Sequence, residues 1–439
     1  MAARTVSIWT SSLAGDRLER GEARISAAKG AADIALDPTK TFQTMEGFGG
    51  SFNEAGWYAL LKVSPSIRRG VLRKLFDPET GAGFTLCRTP IGSSDFGLDA
   101  YSYAETPGDF ELKDFTIERD RKYLIPYIKA AKEVNPNFKL LASPWSAPAW
   151  MKTNNDREHG GELKPECYPA YAEYFVKYIR AYAKEGIPIE YITVQNEVGV
   201  AQTFDSMVWS AEQTTEFVKS HLGPAFEREG IATKILMYDH NRDNWEYPVK
   251  VLNDPGAAKY LYGTAVHGYD WNLFENISRI HDARPDKVIL FTEMSHGHVP
   301  NYSFKDGEDF GWQMVNDINN WCASWIYWNA VLNEKGGPSH DTWAQDALAI
   351  VNEETGDVGL EGEYYYLAHF SKFVHPGAKR IGAKASADKA LATAFAGADG
   401  KTILVAINKG EDDVEASVSA AGEGFSLQLP AHGIVTAIW

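Results

Sequence analysis

The alternation of short β-rich runs with longer helical patterns is the feature of this sequence that most restricts its fold. Eight such runs follow one another between about residues 41 and 372. They are TMEGFGG from Thr44, FTLCR from Phe84, FKLLAS from Phe138, IEYITVQ from Ile189, KILMYD from Lys234, YGTAVH from Tyr262, KVILFTE from Lys287 and ASWIYWN from Ala323. Strands that alternate with helices indicate parallel βα units, and eight such units predict an α/β fold of the (β/α)8 TIM barrel type.

Two of the segments between these runs carry clear helix signals. The tyrosines of the first recur at helical spacing, at Tyr171, Tyr174, Tyr178 and Tyr182. Gly186 then follows as a left-handed helix cap. The second segment begins with Ser210 three residues before Gln213, which is the capping-box pattern. We therefore expect helices here between neighbouring barrel strands.

A second domain is predicted from the pattern at both ends of the chain. After His375-Pro376-Gly377 the residues alternate, with Asp-Gly and Gly turns and no long helical stretch, as in an antiparallel β-sandwich. The first forty residues, with RTVSIWTS and AADIALD, are also strand-like. We expect residues 1–40 to add strands to a β-sandwich of residues 373–439, with the barrel formed by residues 41–372.

Charge and composition limit the partners of the chain. Its 59 acidic and 43 basic side chains give a formal net charge of -16, which repels phosphate backbones and anionic lipid head groups. We expect no nucleic-acid partner and no membrane span, because no run approaches 18 apolar residues. Aromatic residues make up 13% of the chain, which suits either core packing or a cleft that stacks on sugar rings. The oligomeric state is not legible.

The cysteines and the first residues bear on the compartment. Cys87, Cys167 and Cys322 are odd in number and lack metal-site spacing, so we expect buried thiols rather than disulfides. The opening stretch MAARTVSIWTSSLAGDRLER lacks the apolar segment of a secretory signal. A cytoplasmic location and a secreted one with a trimmed signal both remain open.

Two glutamates at predicted strand ends are the candidates for catalysis. Side chains at the carboxyl ends of barrel strands face the active-site mouth, and Glu197 and Glu293 each close a strongly apolar run, ITVQNE and VILFTE. These are the fourth and seventh runs, which face each other across a barrel. Two carboxylates across a cleft suit glycosidic bond cleavage, whereas the alternative is that either glutamate forms a rim salt bridge.

Other motifs predict less. GFGGSF from Gly47 lacks the register of a phosphate-binding loop, so we interpret it as a tight turn at the barrel mouth. Glu293, His296 and His298 do not match the spacing of a zinc helix, and neither a GxSxG elbow nor a Cys/His pair is present. We expect no metal and no cofactor.

Ordered blocks along nearly the whole chain resemble glycoside hydrolase family 30, which includes glucosylceramidases and β-1,6-glucanases. The blocks are EGFGGSFNEA, CRTPIGSSDF, YSYAETPGDFEL, LLASPWSAPAWMKTN, TVQNE, AVHGYD, FTEMS and WNAVLNEKGGPSH. The resemblance implies a retaining glycosidase with Glu197 as general acid/base and Glu293 as nucleophile. It implies a β-glucoside or β-glucan as substrate, cleaved through a covalent glycosyl-enzyme.

The same resemblance implies a set of substrate-binding residues. They are Arg88, Asp95, Trp145, Asn196, His267, Tyr269 and Trp328. Asp95 would accept two sugar hydroxyls, Asn196 would hold the 2-hydroxyl, and Arg88 would contact the nucleophile and keep it ionised. For each of these residues the alternative is plain packing at the barrel rim.

The sequence also departs from the family. Gly268 stands where many relatives carry a bulky aromatic, so we expect a gap beside the glucose site that alters aglycone preference. The stretch after GGPSH differs from the ceramide-cleaving branch, which leaves glucosylceramide hydrolysis as an alternative to β-glucosidase or β-1,6-glucanase activity. A non-catalytic sugar-binding protein is a second alternative, which the two retained carboxylates disfavour.

Retention carries two geometric and electrostatic expectations. The carboxyl groups of Glu197 and Glu293 should lie about 5 to 5.5 Å apart, because the nucleophile must reach the anomeric carbon without an intervening water. Glu197 should have a raised pKa as the acid, whereas Glu293 should stay ionised.

Overall fold

The computed structural model describes residues 4–28, 30–341, 343–386 and 390–439. Each of the eight predicted runs contains a strand, and these strands form one parallel sheet in the order seven to one and then eight. In chain order across both domains, the strands are β1 Thr5–Ser12, β2 Arg17–Arg24, β3 Ser26–Ala27, β4 Ile34–Thr44, β5 Gly47–Ser51, β6 Leu86–Ile91, β7 Lys139–Pro144, β8 Tyr191–Thr193, β9 Lys234–Asn241, β10 Leu261–His267, β11 Val288–Glu293, β12 Ser324–Asn329, β13 Val331–Asn333, β14 Ala349–Val351, β15 Val358–Leu360, β16 Lys379–Ala385, β17 Leu391–Ala396, β18 Thr402–Asn408, β19 Val414–Ala420, β20 Glu423–Leu429 and β21 Gly433–Ile438. The predicted (β/α)8 barrel is confirmed, with β5 to β12 as its strands.

The barrel closes between β11 and β12. The Ala323 N–H donates to the Ile289 carbonyl at 2.8 Å, and the Ser324 hydroxyl donates to the Phe291 carbonyl at 3.1 Å. The barrel interior is filled by apolar side chains from consecutive strands, among them Leu86, Leu141, Leu236 and Leu290. The barrel is therefore a packed core that opens only at its ends.

Helices surround the barrel. They are α1 Glu54–Lys62, α2 Pro65–Phe76, α3 Leu124–Val134, α4 Tyr168–Lys184, α5 Ala211–Phe217, α6 Gly223–Glu229, α7 Glu246–Leu252, α8 Pro255–Ala258, α9 Glu275–Ala283, α10 Asp306–Asn319 and α11 Gly362–Ser371. Short 3-10 turns lie at Ala149–Met151 and Pro165–Cys167, and a π-helical turn at Val218–Leu222 joins α5 to α6. Among the described residues, no helix is long and apolar enough to span a membrane.

The predicted helix signals are confirmed. The four tyrosines that predicted this helix are all buried in α4, and Gly186 beyond its end has a left-handed φ of 78°. Ser210 and Gln213 form the reciprocal capping box at the start of α5. The three cysteines are buried free thiols, also as expected.

The glycine-rich run GFGGSF is a strand, so its interpretation as a tight turn is wrong. Gly47–Ser51 is β5, the first barrel strand, and it is fully buried. A Cβ at Gly49 would lie 2.2 Å from the Leu86 carbonyl oxygen of the neighbouring strand. The glycine is needed because the two backbones approach too closely for any side chain.

The second domain is a ten-stranded sheet that interleaves both ends of the chain. Its order is β2-β1-β21-β18-β17-β16-β4-β19-β20-β3. Ser7 in β1 pairs with Ile438 in β21, and Ile34 in β4 pairs with Ala385 in β16, both in antiparallel register. Strand β4 continues to Thr44, which pairs with Lys379, so the sheet includes residues beyond position 40.

A buried histidine lies where this sheet meets the barrel. His369 belongs to α11, which packs between the two domains. Its ring nitrogens lie 2.8 Å from the Thr436 hydroxyl and 3.0 Å from the Ser11 hydroxyl. The joint therefore connects helix α11 to the first and last strands of the sheet by neutral hydrogen bonds.

Candidate active site

A cleft of about 350 Å³ opens at the carboxyl ends of the barrel strands. Five of the predicted site residues line it: Asp95, Trp145, Glu197, Tyr269 and Glu293. The other lining residues are Val200, Gln202, Phe204, His240, Asn241, Trp271, Ser295, His296, Gly297, Trp343 and Gln345. Both candidate carboxylates therefore face the same space.

Glu293 is the last residue of β11 and is held from two sides. The buried Arg88 guanidinium pairs with one carboxylate oxygen, and the Tyr269 hydroxyl donates to the other at 3.1 Å. The side chain is only 7% exposed, so these contacts replace most of its hydration. One oxygen remains directed at the cleft with a single neutral donor.

Arg88 organises the floor beneath this carboxylate. It is fully buried, and it donates to Ser143 at 3.1 Å, to Asn196 at 2.7 Å and to Asp239 at 2.8 Å. Burial opposes its charge, but Asp239 and Glu293 raise the pKa of the guanidinium above its ordinary value. A permanent positive charge therefore lies directly behind Glu293.

Asp239 is the other centre of this floor, and the sequence argument did not assign it to the site. Its oxygens accept from Thr193 at 2.7 Å and from Thr292 at 2.6 Å. Burial alone would raise the pKa of Asp239, but Arg88 and His267 hold it well below its ordinary value. Its position at the carboxyl end of the fifth barrel strand was the available sequence signal.

Glu197 lies four residues beyond β8 in an unusual backbone conformation. Its φ of 54° is in the left-handed region, and its N–H donates to the Asp239 carbonyl at 2.8 Å. Such backbone strain in a non-glycine residue is commonly found at functional sites. The conformation directs the carboxylate toward His240 and His267, whose Nδ1 atoms lie 3.8 Å and 3.6 Å from it.

The predicted raised pKa of Glu197 is wrong. Burial does act in that direction, but the imidazoles of His240 and His267 outweigh it and lower the pKa of Glu197 below its ordinary value. The prediction failed because it was based on the expected acid role, without the two rings that lie beside the carboxylate. In this arrangement the imidazoles favour the carboxylate form of Glu197.

His267 holds the opposite charge. Burial disfavours its protonation, but Glu293, Asp239 and Glu197 together raise the pKa of His267 to about 9. Its Nε2 lies 3.1 Å from Asp239, while its Nδ1 lies between the two candidate carboxylates, 3.6 Å from Glu197 and 3.8 Å from Glu293. The imidazolium therefore compensates the charge of three carboxylates.

The two candidate carboxylates approach each other closely in the cleft. One oxygen of Glu197, one oxygen of Glu293 and a nitrogen of His267 all lie within 4.8 Å of one another. An inverting pair would need about 6.5 to 9.5 Å between its carboxyl groups. The close approach of the two oxygens therefore favours a retaining arrangement over an inverting one.

Polar and aromatic side chains form the wall of the cleft opposite the two carboxylates. Trp145 stacks on Trp328 with ring centroids 4.9 Å apart, and the Trp328 indole donates to Asp95 at 3.4 Å. The second Asp95 oxygen is buried without a hydrogen-bond partner among the described residues. Burial, with a contribution from Glu293, raises the pKa of Asp95 well above its ordinary value. This oxygen is therefore available to a ligand.

Four predicted site residues lie behind the cleft rather than in its lining. Arg88, Asn196, His267 and Trp328 are each buried and contact a lining residue or the floor. The Asn196 side-chain oxygen accepts from Arg88, so the amide nitrogen of Asn196 points away from Arg88. His240 and Trp343, in contrast, line the cleft and were not predicted. Trp343 lies in the stretch that departs from the family and carries no positional signal.

Gly268 does not leave a gap, so that expectation is wrong. A Cβ there would lie 2.6 Å from the Met294 sulfur and 2.8 Å from the Phe291 ring. The Gly268 carbonyl accepts from the buried Arg242 at 2.9 Å. The space that an aromatic side chain would need is filled by neighbours, and Gly268 is not part of the cleft lining.

Comparisons with known proteins agree with this architecture. The profile of the glycosyl hydrolase family 30 TIM-barrel domain matches residues 45–374, and that of the family's β-sandwich domain matches residues 377–437. In structure the chain is similar to SrfJ from Salmonella typhimurium, with a TM-score of 0.96, 29% identity and 99% of each chain covered. It is also similar to an endo-β1,6-glucanase, with a TM-score of 0.90, 33% identity and 99% of each chain covered.

Curated relatives carry two activities in their names. The mouse lysosomal acid glucosylceramidase is 31% identical over 99% of this chain and 89% of its own length. An endo-1,6-β-D-glucanase of Aspergillus fumigatus is 30% identical over 90% of this chain and 84% of its own length. With two family domains spanning nearly all of its residues, the chain belongs to glycosyl hydrolase family 30, a family of retaining glycosidases.

Proposed function

We propose that this family 30 enzyme hydrolyses a β-glucoside or β-glucan, with Glu293 as nucleophile and Glu197 as general acid/base. The observation that carries the assignment is the approach of their carboxylate oxygens to within 4.8 Å at one cleft. This spacing supports attack of Glu293 on the anomeric carbon, without water between them. The strongly acidic surface of the chain supports a neutral substrate and disfavours nucleic acid.

In the first step, the Glu197 carboxyl donates a proton to the glycosidic oxygen while a Glu293 oxygen attacks the anomeric carbon. The aglycone leaves with the proton, and a glycosyl ester of Glu293 forms. In the second step, Glu197 takes a proton from water, whose oxygen displaces Glu293 from the sugar. Arg88 and the Tyr269 hydroxyl stabilise Glu293 as it becomes the leaving group.

The proton of the first step is shared between Glu197 and its imidazole neighbours. The pKa of His267 is raised to about 9, so this residue is protonated at neutral pH, and it lies 3.6 Å from Glu197. Interacting groups titrate as a unit, so the acid is the carboxyl and imidazole together rather than Glu197 alone. The aglycone oxygen competes for this proton when it accumulates charge in the transition state.

The sugar ring would bind between the two walls of the cleft. Asp95 presents a buried acceptor without a partner, suited to adjacent sugar hydroxyls, and Trp145 presents an aromatic surface. Asn196 lies behind the cleft with its side-chain oxygen bound by Arg88; its amide nitrogen, which donates to no acceptor among the described residues, would reach the 2-hydroxyl from there. Trp328 acts from behind, by orienting Asp95 and supporting Trp145.

Leaving-group dependence tests the two carboxylate roles. For Glu197→Gln, hydrolysis of a phenyl β-glucoside should fall by about 10² to 10⁴-fold, which is the usual contribution of general acid catalysis. A dinitrophenyl glucoside needs no proton and should form its glycosyl-enzyme at a near-normal rate, seen as a burst. Glu212→Gln, at a glutamate whose side chain is 66% exposed, is the matched control and should change neither rate. Equal losses on both substrates would contradict the acid role.

The substrate is tested by direct competition. Gentiobiose, β-1,6-glucan, an aryl xyloside and glucosylceramide in detergent should be compared by kcat/KM on one preparation. We expect β-1,6-linked glucosides to be preferred, since this chain is 33% identical to a solved endo-β1,6-glucanase over 99% of both chains. Glucosylceramide is the second candidate, favoured by the match to the mouse enzyme. A preference for it or for xyloside would overturn the first choice.

A further inference from the structure

A second group of ionisable side chains lies beside the catalytic cleft and takes no part in the proposed chemistry. We call it the wall cluster; its members are His296, His298, Asp306, Asp346 and Glu363. They come from four segments: the loop after β11, the first turn of α10, the loop before β14 and the first turn of α11. The sequence argument considered the two histidines only together with Glu293, whereas the structure places them with Asp306 instead.

The inner carboxylates of the wall cluster are buried without partners. Glu363 is 1% exposed and Asp346 is fully buried. Both Glu363 oxygens and one Asp346 oxygen have no hydrogen-bond partner among the described residues. The adjacent Glu361 is also fully buried, with both oxygens unpartnered. Buried carboxylates normally pair with cations or donors, since desolvation of an unpaired charge costs several kcal/mol.

No described lysine or arginine nitrogen forms an ion pair with these inner carboxylates; the contact recorded within 4.0 Å is His296 with Glu363, at 4.0 Å. His298 lies 3.3 Å from Asp306. One ligand atom from each of His296, His298 and Asp306 lies within 4.8 Å of the others, and the same holds for Asp306, Asp346 and Glu363. Asp306 is thus common to an imidazole-rich half and a carboxylate half.

We propose that the wall cluster binds one divalent first-row transition cation, such as Zn²⁺ or Mn²⁺. Imidazole nitrogens favour Zn²⁺ and carboxylates also suit Mn²⁺, whereas Mg²⁺ and Ca²⁺ prefer sites made of oxygen alone. The carboxylates supply the negative charge, and His296 Nε2, which has no hydrogen-bond partner among the described residues, supplies a ligand atom. This inference departs from the expectation of a chain without metal, and it does not depend on the proposed glycosidase chemistry.

A cation here would fix one wall of the catalytic cleft. The Asp346 N–H donates to the His296 carbonyl at 3.0 Å, which joins two of the four segments. Their neighbours Ser295 and Gln345 line the cleft and hydrogen-bond to each other at 2.9 Å. The metal therefore has a structural role, and it holds in place the loop that follows Glu293.

Binding is tested on the full chain after dialysis against a chelator. Calorimetric titration with ZnCl₂, MnCl₂ and CaCl₂ in separate runs should give one saturable site for Zn²⁺ or Mn²⁺ and at least tenfold weaker binding of Ca²⁺. The bound ion should raise the unfolding temperature, because it binds only the folded chain. Elemental analysis of the undialysed protein gives the stoichiometry independently.

Two variants and one control locate the site. Glu363→Gln should weaken binding at least tenfold, and so should His298→Ala, whose side chain is 38% exposed and tolerates truncation even if the buried change prevents folding. Asp156→Asn is the control, since Asp156, Glu158 and His159 form a surface group made of the same three residue types as the wall cluster. Absence of saturable binding, stronger binding of Ca²⁺, or loss of binding in Asp156→Asn alone would overturn the proposal.

Discussion

Two fully buried histidines mark two contrasting regions of this molecule. At the floor of the cleft, His267 lies among Asp239, Glu197 and Glu293, and these carboxylates raise its pKa to about 9. At the joint between barrel and sheet, His369 contacts only the hydroxyls of Ser11 and Thr436. Burial there lowers its pKa to about 3. The same side chain at the same burial is thus charged in one region and neutral in the other.

The difference lies in what each region has to do. The charged groups at the floor of the cleft are buried away from water, which strengthens their electrostatic interactions and suits proton transfer and charge development. At the joint, the ring of His369 hydrogen-bonds to two hydroxyls and is a neutral spacer. Burial alone therefore does not determine protonation, and the neighbouring groups do.

Removal of one cleft carboxylate should have the largest effect. Glu293→Gln deletes the proposed nucleophile and should lower kcat/KM by about 10⁴-fold or more, as for other residues of a covalent catalytic unit. It also deletes the strongest charge that favours protonation of His267, so the pKa of that imidazole should fall below 9. Rate assays and imidazole NMR titration measure the two effects. A normal rate or an unchanged titration would contradict this description of the cleft.

Removal of the cleft histidine, His267, should have the next largest effect. His267→Gln eliminates the shared proton, so kcat/KM at neutral pH should fall by about 10²-fold. The alkaline limb of the pH–rate profile should move from near the His267 pKa of about 9 toward lower pH. His369→Gln is the comparison variant and should keep the wild-type profile. An unmoved alkaline limb in His267→Gln would show that Glu197 carries its proton alone.

A change beside His267 tests how rigidly the cleft floor is packed. Gly268→Ala places a Cβ against Met294 and Phe291, and should cost about 1 to 3 kcal/mol of stability by overpacking. Gly297→Ala, at a glycine of the cleft lining, meets no atom within 4 Å and is the control. Thermal unfolding and kcat/KM on two aglycones measure the outcome. Improved activity on one aglycone alone would contradict the structure, because it would indicate a gap beside Gly268.

The smallest effect is expected at the joint, and it depends on pH. His369 has a folded-state pKa of about 3 against 6.5 for the free side chain, so its contribution is complete above pH 6.5. As pH falls from 6.5 toward 3, the unfolded chain gains a proton that the folded chain refuses. The free energy of unfolding then drops by about 1.4 kcal/mol per pH unit from this group.

His369→Gln should remove that pH dependence. At pH 7 the variant should lose about 1 kcal/mol, because glutamine cannot reproduce both hydrogen bonds. On acidification to pH 5 the wild type should lose about 2 kcal/mol from this group, so the variant should become the more stable protein, as urea denaturation at the two pH values would measure. A difference that stays constant would mean that His369 is protonated in the folded chain.

The sequence predicted the barrel because its information is periodic and local. The apolar runs ending at Glu197 and Glu293 marked the fourth and seventh strands, and the alternating pattern after Gly377 marked the sheet domain. The glycine run of β5 was misjudged because its glycines respond to a neighbouring backbone, that of Leu86, which no local pattern reveals.

The details of the site depended on neighbours from separate strands. His240 and His267 end the fifth and sixth barrel strands and meet Glu197 only in the closed barrel, so the direction of its pKa could not be predicted. Gly268 was compared with relatives, whereas its space is determined by Phe291 and Met294 of this chain. The catalytic roles of Glu197 and Glu293 remain predictions.

The interleaved sheet sets an order for biosynthesis. Strand β1 pairs through Ser7 with Ile438, so this pairing can form only after the whole barrel has been translated. The pairing of β4 with β16 likewise forms only after the barrel has been translated. Pairings between such distant segments form slowly, and unpaired edges recruit other chains. Chaperones that shield the nascent amino-terminal strands should therefore determine the yield of this protein more than the stability of its barrel.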